Sequence, residues 1–207
     1  MAALPRIGLL VGSSRYGGNA AGLATWLSSV LEGRLNSPAK TIDIVTVYPT
    51  KEPHPLGPVA DGSRLPAQVP DSSSYSSPII QQWSAFVSSC SAFAVISPEY
   101  NGGYPGELKN SLDHLYTEWA GKPVLLITYG SRGGFRCSAQ LRGVLTSMKM
   151  TVLDDPVGIK MPKDFVAGSE RVVPGEGFPE FLSPYEELVG KAADELKDRL
   201  LKASESG

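Results

Sequence analysis

Three segments of this sequence hold residues whose types and spacing suit an anion and a flat, polar ring. The first is Gly12-Ser-Ser-Arg-Tyr-Gly-Gly-Asn19, set between an apolar run and a helical pattern. A helix N-terminus offers free N–H groups and the positive end of its dipole, which together hold an anion. Small residues let the backbone approach a phosphate closely. Ser13 and Ser14 can donate hydroxyl hydrogen bonds, and Arg15 adds a charged fork. Two nucleotide signatures fail here. GxxxxGK[ST] matches Gly12 and Gly17 but meets Gly18-Asn19 where Lys and Ser or Thr belong, and GxGxxG fails at Ser14. The same residues also suit plain strand-to-helix punctuation.

The second segment, Pro98–Gly106 (PEYNGGYPG), mixes proline, tyrosine and glycine after an apolar strand pattern. It reads as rigid, with backbone groups turned outward. Tyr100 offers a ring to stack on an aromatic ligand, or it packs within the turn; residue types support both. Asn101 and the N–H groups around Gly102-Gly103 could read heteroatoms, and Glu107 suits the start of the next helix. The third segment, Gly130–Gly134 (GSRGG), again precedes a helical pattern and offers backbone N–H groups to a carbonyl or an anionic ring edge. Arg132 would neutralise charge there or stand in solvent.

These segments need elements that bring them together. Apolar, β-branched runs at Arg6–Val11, Thr41–Tyr48, Ala92–Ser97, Val124–Tyr129 and Thr151–Leu153 predict five strands. Helical spacing joins Leu23, Trp26, Leu27, Val30 and Leu31, ending near Gly33. It recurs over Ile79–Val87, Leu108–Trp119, Leu141–Met148 and Tyr185–Leu200. Strand and helix alternating five times predicts a parallel sheet with helices on both faces, in the flavodoxin-like order 2-1-3-4-5. That is an α/β three-layer sandwich and a single domain over 1–207. In such sheets ligands bind beyond the carboxyl ends of the strands, where all three segments fall. Residues 49–77 carry six prolines and no period, and a loop of that length is expected to border a binding site. Residues 154–183 read as irregular.

Composition narrows the function classes. The 22 glycines and 17 prolines exceed ordinary usage without any repeat, so collagen-like and low-complexity chains are excluded. A net charge of −2 does not suggest a nucleic-acid binder, and it argues against a strongly acidic electron carrier. No apolar run is long enough to span a membrane, and Ile7–Val11 is too short for a signal-peptide core. Cys90 and Cys137 form no disulfide framework and no metal cluster, which fits a reducing, cytoplasmic setting with no metal. Cys137 reads as small core packing and Trp83 as core or interface. Glu118 and Lys122 are expected in solvent. There is no GxSxG elbow, and neither His54 nor His114 has an evident nucleophile partner, so a hydrolase is disfavoured.

Taken together, GSSR in the first segment, PEYNGGYPGELKNSLDHLY over 98–116 and YGSRGG over 129–134 resemble the NAD(P)H-dependent FMN reductase family. The middle run is most similar to that of fungal flavin-dependent NAD(P)H:quinone reductases. The resemblance covers most of residues 6–162 and not the stretches 49–77 and 163–183. It implies non-covalent FMN, NADPH or NADH as reductant, and a quinone-like small-molecule acceptor reduced by two electrons in ping-pong order. It also implies a homodimer, with a tetramer as the alternative. By motif, Ser13, Arg15 and Asn19 would hold the FMN phosphate. Pro98, Glu99, Tyr100, Asn101 and Gly102 would line the isoalloxazine, and Gly130, Ser131, Gly133 and Gly134 would face its pyrimidine edge. No side chain is then needed as catalytic acid or base, because the flavin carries the redox chemistry. The alternatives are a flavin reductase that releases reduced FMN and a flavodoxin-like carrier.

Overall fold

A computed structural model describes residues 4–205. Strands β1 (Arg6–Val11), β2 (Asp43–Val47), β3 (Ala92–Pro98), β4 (Pro123–Gly130) and β5 (Thr151–Val152) pair in the order β2-β1-β3-β4-β5, every pair parallel. The connecting helices are α1 (Ala20–Leu35), α2 (Pro78–Ser89), α3 (Gly106–Asp113), α4 (Phe135–Ser147), the short α5 (Lys163–Val166) and α6 (Ser183–Glu205). The flavodoxin-like order is the expected one.

Strand pleating divides the core into two layers. Ile7, Leu9 and Val11 of β1 and Ala92, Ala94 and Ile96 of β3 face α1 and α6, meeting Trp26, Leu27 and Leu196. The opposite face sets Leu10, Phe93 and Val95 against α2, α3 and α4 through Trp83, Leu112 and Leu141. Trp83 is wholly buried there, its ring centroid 5.9 Å from that of Trp119, which lies 5.0 Å from that of Phe93. Both indole N–H groups are satisfied, Trp83 donating to the Ser111 carbonyl (2.8 Å) and Trp119 to that of Leu112 (3.2 Å). Each such aromatic contributes a few kcal/mol by area burial, on the order of 1.5–3 kcal/mol for a ring the size of Phe.

Four differences from the sequence reading have local causes. First, the stretch 154–183 holds a sixth strand, β6 (Val157–Lys160), paired with Ile127–Gly130 of β4. It continues the edge begun by β5; Asp154-Asp155-Pro156 interrupts the run, since a proline within it has no N–H for the ladder. Second, α3 ends at Asp113, and Trp119 sits on a separate turn of 3₁₀ helix. The apolar spacing persisted because that turn packs on the same core. Third, residues 49–77 border no part of the cavity described below. They lie over α2 and α3: Leu56 and Val69 are buried, and Asn110 Nδ2 donates to the Gly57 carbonyl at 2.9 Å. His114 meets the same carbonyl at 3.0 Å, and His54 Nε2 lies 3.0 Å from Ser111 Oγ. Burial lowers the His54 pKa below its ordinary value, keeping it neutral at pH 7. Fourth, Glu118 is not a solvated end group. Its Oε1 accepts from Tyr75 OH (2.9 Å) and Ser84 Oγ (2.6 Å), which ties the excursion to α2. Lys122 is likewise engaged, donating to the Val87 carbonyl.

Candidate functional site

The carboxyl ends of β1, β3 and β4 open onto a cavity of about 320 Å³. Ser13, Arg15, Tyr16, Gly17, Gly18 and Asn19 line it from the first segment. Pro98, Glu99 and Tyr100 come from the second, and Tyr129 with Gly130 from the end of β4. A second recess of about 430 Å³ shares Glu99, Gly130 and Val166 with it and adds Ser131, Arg132, Gly134, Phe135 and Arg136. The two recesses thus share a wall. The parallel sheet brings three distant segments to one rim because each follows a neighbouring strand end.

Hydrogen bonds hold the rim in shape. Ser13 Oγ and Tyr100 OH are 2.7 Å apart, and Ser14 Oγ donates to Glu107 at 3.1 Å, so the first segment is stapled to the second. Arg15 lies with its guanidinium carbon 3.9 Å from the centroid of the Tyr100 ring, a cation–π contact that aims it. One face of Tyr100 is therefore covered by Arg15. Glu99 accepts from the backbone N–H of Arg136 (3.1 Å) in the first turn of α4, where a carboxylate suits the dipole and joins the second segment to the third. Tyr100 and Gly103 exchange both backbone hydrogen bonds (2.8 and 2.9 Å) around Asn101 and Gly102, which have φ of +50° and +84°. Two positive φ values at the centre of a tight turn are the type I′ arrangement, which explains Asn-Gly there.

Of the residues singled out by sequence, Ser13, Arg15, Asn19, Pro98, Glu99, Tyr100 and Gly130 meet in the first cavity, and Ser131 and Gly134 in the second. Asn101, Gly102 and Gly133 line neither. The Gly102 carbonyl accepts from Gln140 Nε2 (3.1 Å) on α4, so this turn faces the helix. Gly133 donates its N–H to the Gly130 carbonyl (3.1 Å), and its own carbonyl accepts from Thr128 Oγ1 (2.8 Å). The Asn19 side chain reaches away from the loop: Nδ2 donates to the Phe165 carbonyl (2.8 Å) and Oδ1 accepts from the Val172 N–H (2.9 Å). Met161, Phe165, Val166 and Arg171 also line the first cavity, and sequence reasoning missed them. They lie in the proline-bearing stretch after β4, where no period or motif marks them.

The electrostatics of the rim favour an anion. Among the described residues neither Arg15 nor Arg171 has a carboxylate within ion-pair distance, although both line one small cavity. Glu99 is the one carboxylate in that lining, and it is turned to α4. Tyr129 is buried, which raises its phenol pKa well above the ordinary value. Burial likewise pushes the Cys137 and Cys90 thiols up to about 11. Cys137 sits 3.5 Å from Ser97 Oγ in the core. We expect neither cysteine to react with a thiol reagent at pH 7 unless the chain is unfolded; rapid labelling of the folded protein would contradict this. No group of three or more metal-ligating side chains occurs among the described residues, and no helix among them is long and apolar enough to cross a membrane.

A doubly wound sheet of order β2-β1-β3-β4-β5, with three glycine-bearing turns at the carboxyl ends of its strands, defines a flavodoxin-like α/β protein. The model of the NADPH-dependent FMN reductase family matches residues 5–161. An NAD(P)H-dependent FMN reductase of Saccharomyces cerevisiae is 39% identical over 114 residues, which is 55% of this chain and 59% of that one. A namesake in Schizosaccharomyces pombe is 33% identical over 160 residues, 77% of this chain and 75% of its own. In fold, the chain is similar to FerB, an NAD(P)H:(acceptor) oxidoreductase of Paracoccus denitrificans. The TM-score is 0.66 at 20% identity, covering 96% of this chain and 98% of that one. The chain belongs to the NADPH-dependent FMN reductase family, an oxidoreductase family that works with FMN and NAD(P)H.

Proposed function

We propose that this chain is an FMN-dependent NAD(P)H oxidoreductase that reduces quinones or similar acceptors by two electrons. The observation that carries the reading is that Arg15, in the first glycine-rich turn, and Arg171 line one cavity with no carboxylate partner among the described residues, beside a recess bounded by Glu99 and Gly130–Gly134. The residues present fit FMN: cations and small residues at one end suit the phosphate, and backbone-rich turns at the other suit a planar ring. Bound FMN would supply the hydride and two-electron chemistry.

The chain's own residues then bind and orient. Ser13, Arg15 and Asn19 stand at the phosphate end. Pro98, Glu99 and Tyr100 border the ring, with Asn101 and Gly102 shaping their turn from behind. Gly130, Ser131 and Gly134 edge the pyrimidine side, with Gly133 completing that turn. Backbone N–H groups at such a turn stabilise negative charge on a ring edge without a titrating side chain. Exposed Tyr16, Phe135 and Val166 rim the two recesses and leave an apolar approach where reductant and acceptor can follow one another, which is a ping-pong order. A second copy of the chain covering this rim belongs to the same reading. The quinone acceptor rests on the resemblance of residues 98–116 to fungal quinone reductases.

The purified chain is expected to be yellow or to take up FMN. It should oxidise NADPH slowly alone and at least ten times faster with benzoquinone. A colourless protein that neither takes up FMN nor oxidises NADPH would remove the proposal.

A further inference from the structure

Residues 163–172 match no motif and lie beyond the family match, yet they close one side of the cavity. Two contacts at the start of α1, from its N-cap Asn19 and from Gly22, hold this strap. The Asn19 amide spans its two ends, bonding the Phe165 carbonyl and the Val172 N–H. Gly22, one turn further along α1, lets the strap lie close: a Cβ there would stand 2.0 Å from the Val172 carbonyl oxygen. Val172 is buried at 1% exposure, so that end cannot retreat without loss.

Between these anchors, Arg171 is set in place by backbone carbonyls. Its Nε donates to Gly17 (3.2 Å), and its Nη1 to Gly168 (2.8 Å) and Glu170 (2.6 Å). Nη2 makes no hydrogen bond among the described residues. A guanidinium held by three carbonyls and paired with no carboxylate is an oriented positive charge. It stands in the same cavity as Arg15, and a phosphate monoester there carries close to two negative charges at pH 7.

We propose that the strap 163–172 is the outer wall of a phosphate cradle, with Arg171 the second cation on the 5′-phosphate of FMN and Asn19 a positioning residue that acts by holding the strap. This rests on the FMN reading above. It makes Arg171 a determinant of FMN over riboflavin, since only the phosphorylated flavin meets its charge.

The test titrates FMN and riboflavin into the flavin-free full chain and its variants, following flavin fluorescence. Arg171→Ala should weaken FMN roughly 10- to 100-fold, the range for a lost charge-assisted hydrogen bond, while riboflavin changes less than about twofold. Arg171→Lys should fall between, keeping charge without the fork. Asn19→Ala should also weaken FMN, and the double variant should be no worse than the weaker single one, because both act through one guanidinium. Additive losses would mean that Asn19 holds the phosphate directly and would overturn its positioning role. Equal losses of FMN and riboflavin in Arg171→Ala, or unchanged FMN, would overturn the Arg171 assignment and leave the FMN reading standing. A rise in KM for NADPH but not NADH, with FMN unaffected, would move Arg171 to the nicotinamide cofactor and overturn the proposal. A wild-type chain that binds neither flavin would instead reject the FMN reading itself. Because Arg171 is exposed, melting temperatures within about 2 °C of wild type are expected for its two variants.

Discussion

Arg15→Ala is expected to lose most of its flavin during purification while keeping most of its turnover when FMN is supplied in excess. The charge of Arg15 has no carboxylate partner among the described residues and meets the face of the Tyr100 ring instead. Its position over Tyr100, 3.9 Å from the ring centroid, means that little ordering remains to be done when an anion arrives. Loss of a charge-assisted contact should weaken FMN by about 1.5–3 kcal/mol, or roughly one to two orders of magnitude in Kd. Turnover at saturating FMN should fall far less, because the phosphate end is remote from the transferred electrons. The flavin-to-protein absorbance ratio after gel filtration reports the first effect, and NADPH oxidation with added FMN reports the second. Flavin retained at the wild-type ratio would show that the first segment is not the phosphate site.

Gly134→Ala should damage both the fold and the site. Gly134 stands just before α4 with φ of +72°, the left-handed region that costs an L-residue about 1–2 kcal/mol. An added Cβ would also lie 2.8 Å from Thr128 Cβ and 3.0 Å from the Tyr129 backbone nitrogen, both on the buried central strand β4. Overpacking against such neighbours adds about 1–3 kcal/mol. The total, about 2–5 kcal/mol, should lower Tm by roughly 4–20 °C for a chain of this size. It should also shift the turn that forms one wall of the second recess. Gly143→Ala is the matched comparison. Gly143 lies within α4, exposed, with nothing inside 4 Å of an added Cβ, and its replacement should raise stability by about 0.5–1 kcal/mol. Two variants melting together would mean that the Gly134 turn is not held against β4.

The loops of this site were legible because their chemistry is local. Gly-Ser-Ser-Arg after an apolar strand, Asn-Gly inside Pro98–Gly106 and Gly-Gly before α4 each state a backbone need that can be read a few residues at a time. Asn101, Gly102, Gly133 and Gly134 do take positive φ values. The apolar run of β3 is buried throughout, and the strand order followed from alternation with helices. β6 was hidden by Asp154-Asp155-Pro156, which splits one sheet edge into two pieces too short to show a period.

What residue types could not settle was the direction of polar side chains and the destination of the two proline-bearing stretches. Asn19 has the right type and place to touch a phosphate, yet its amide spans residues 165 and 172. Residues 49–77 look like a binding loop; they lie over α2 and α3, away from the cavity at the strand ends, and line a separate recess. Residues 163–172 carry no signal and bring Phe165, Val166 and Arg171 to the cavity. The sequence alone determined a doubly wound sheet, three turns at the carboxyl ends of its strands and a cation at the first, because strand periodicity, positive-φ turns and helix starts depend on neighbours in the chain. Only the tertiary structure decided which excursion closes this cavity and that a second arginine lines it with the first. Those outcomes depend on contacts between residues some 150 positions apart, such as Gly17 with Arg171, and a one-dimensional pattern carries no term for them.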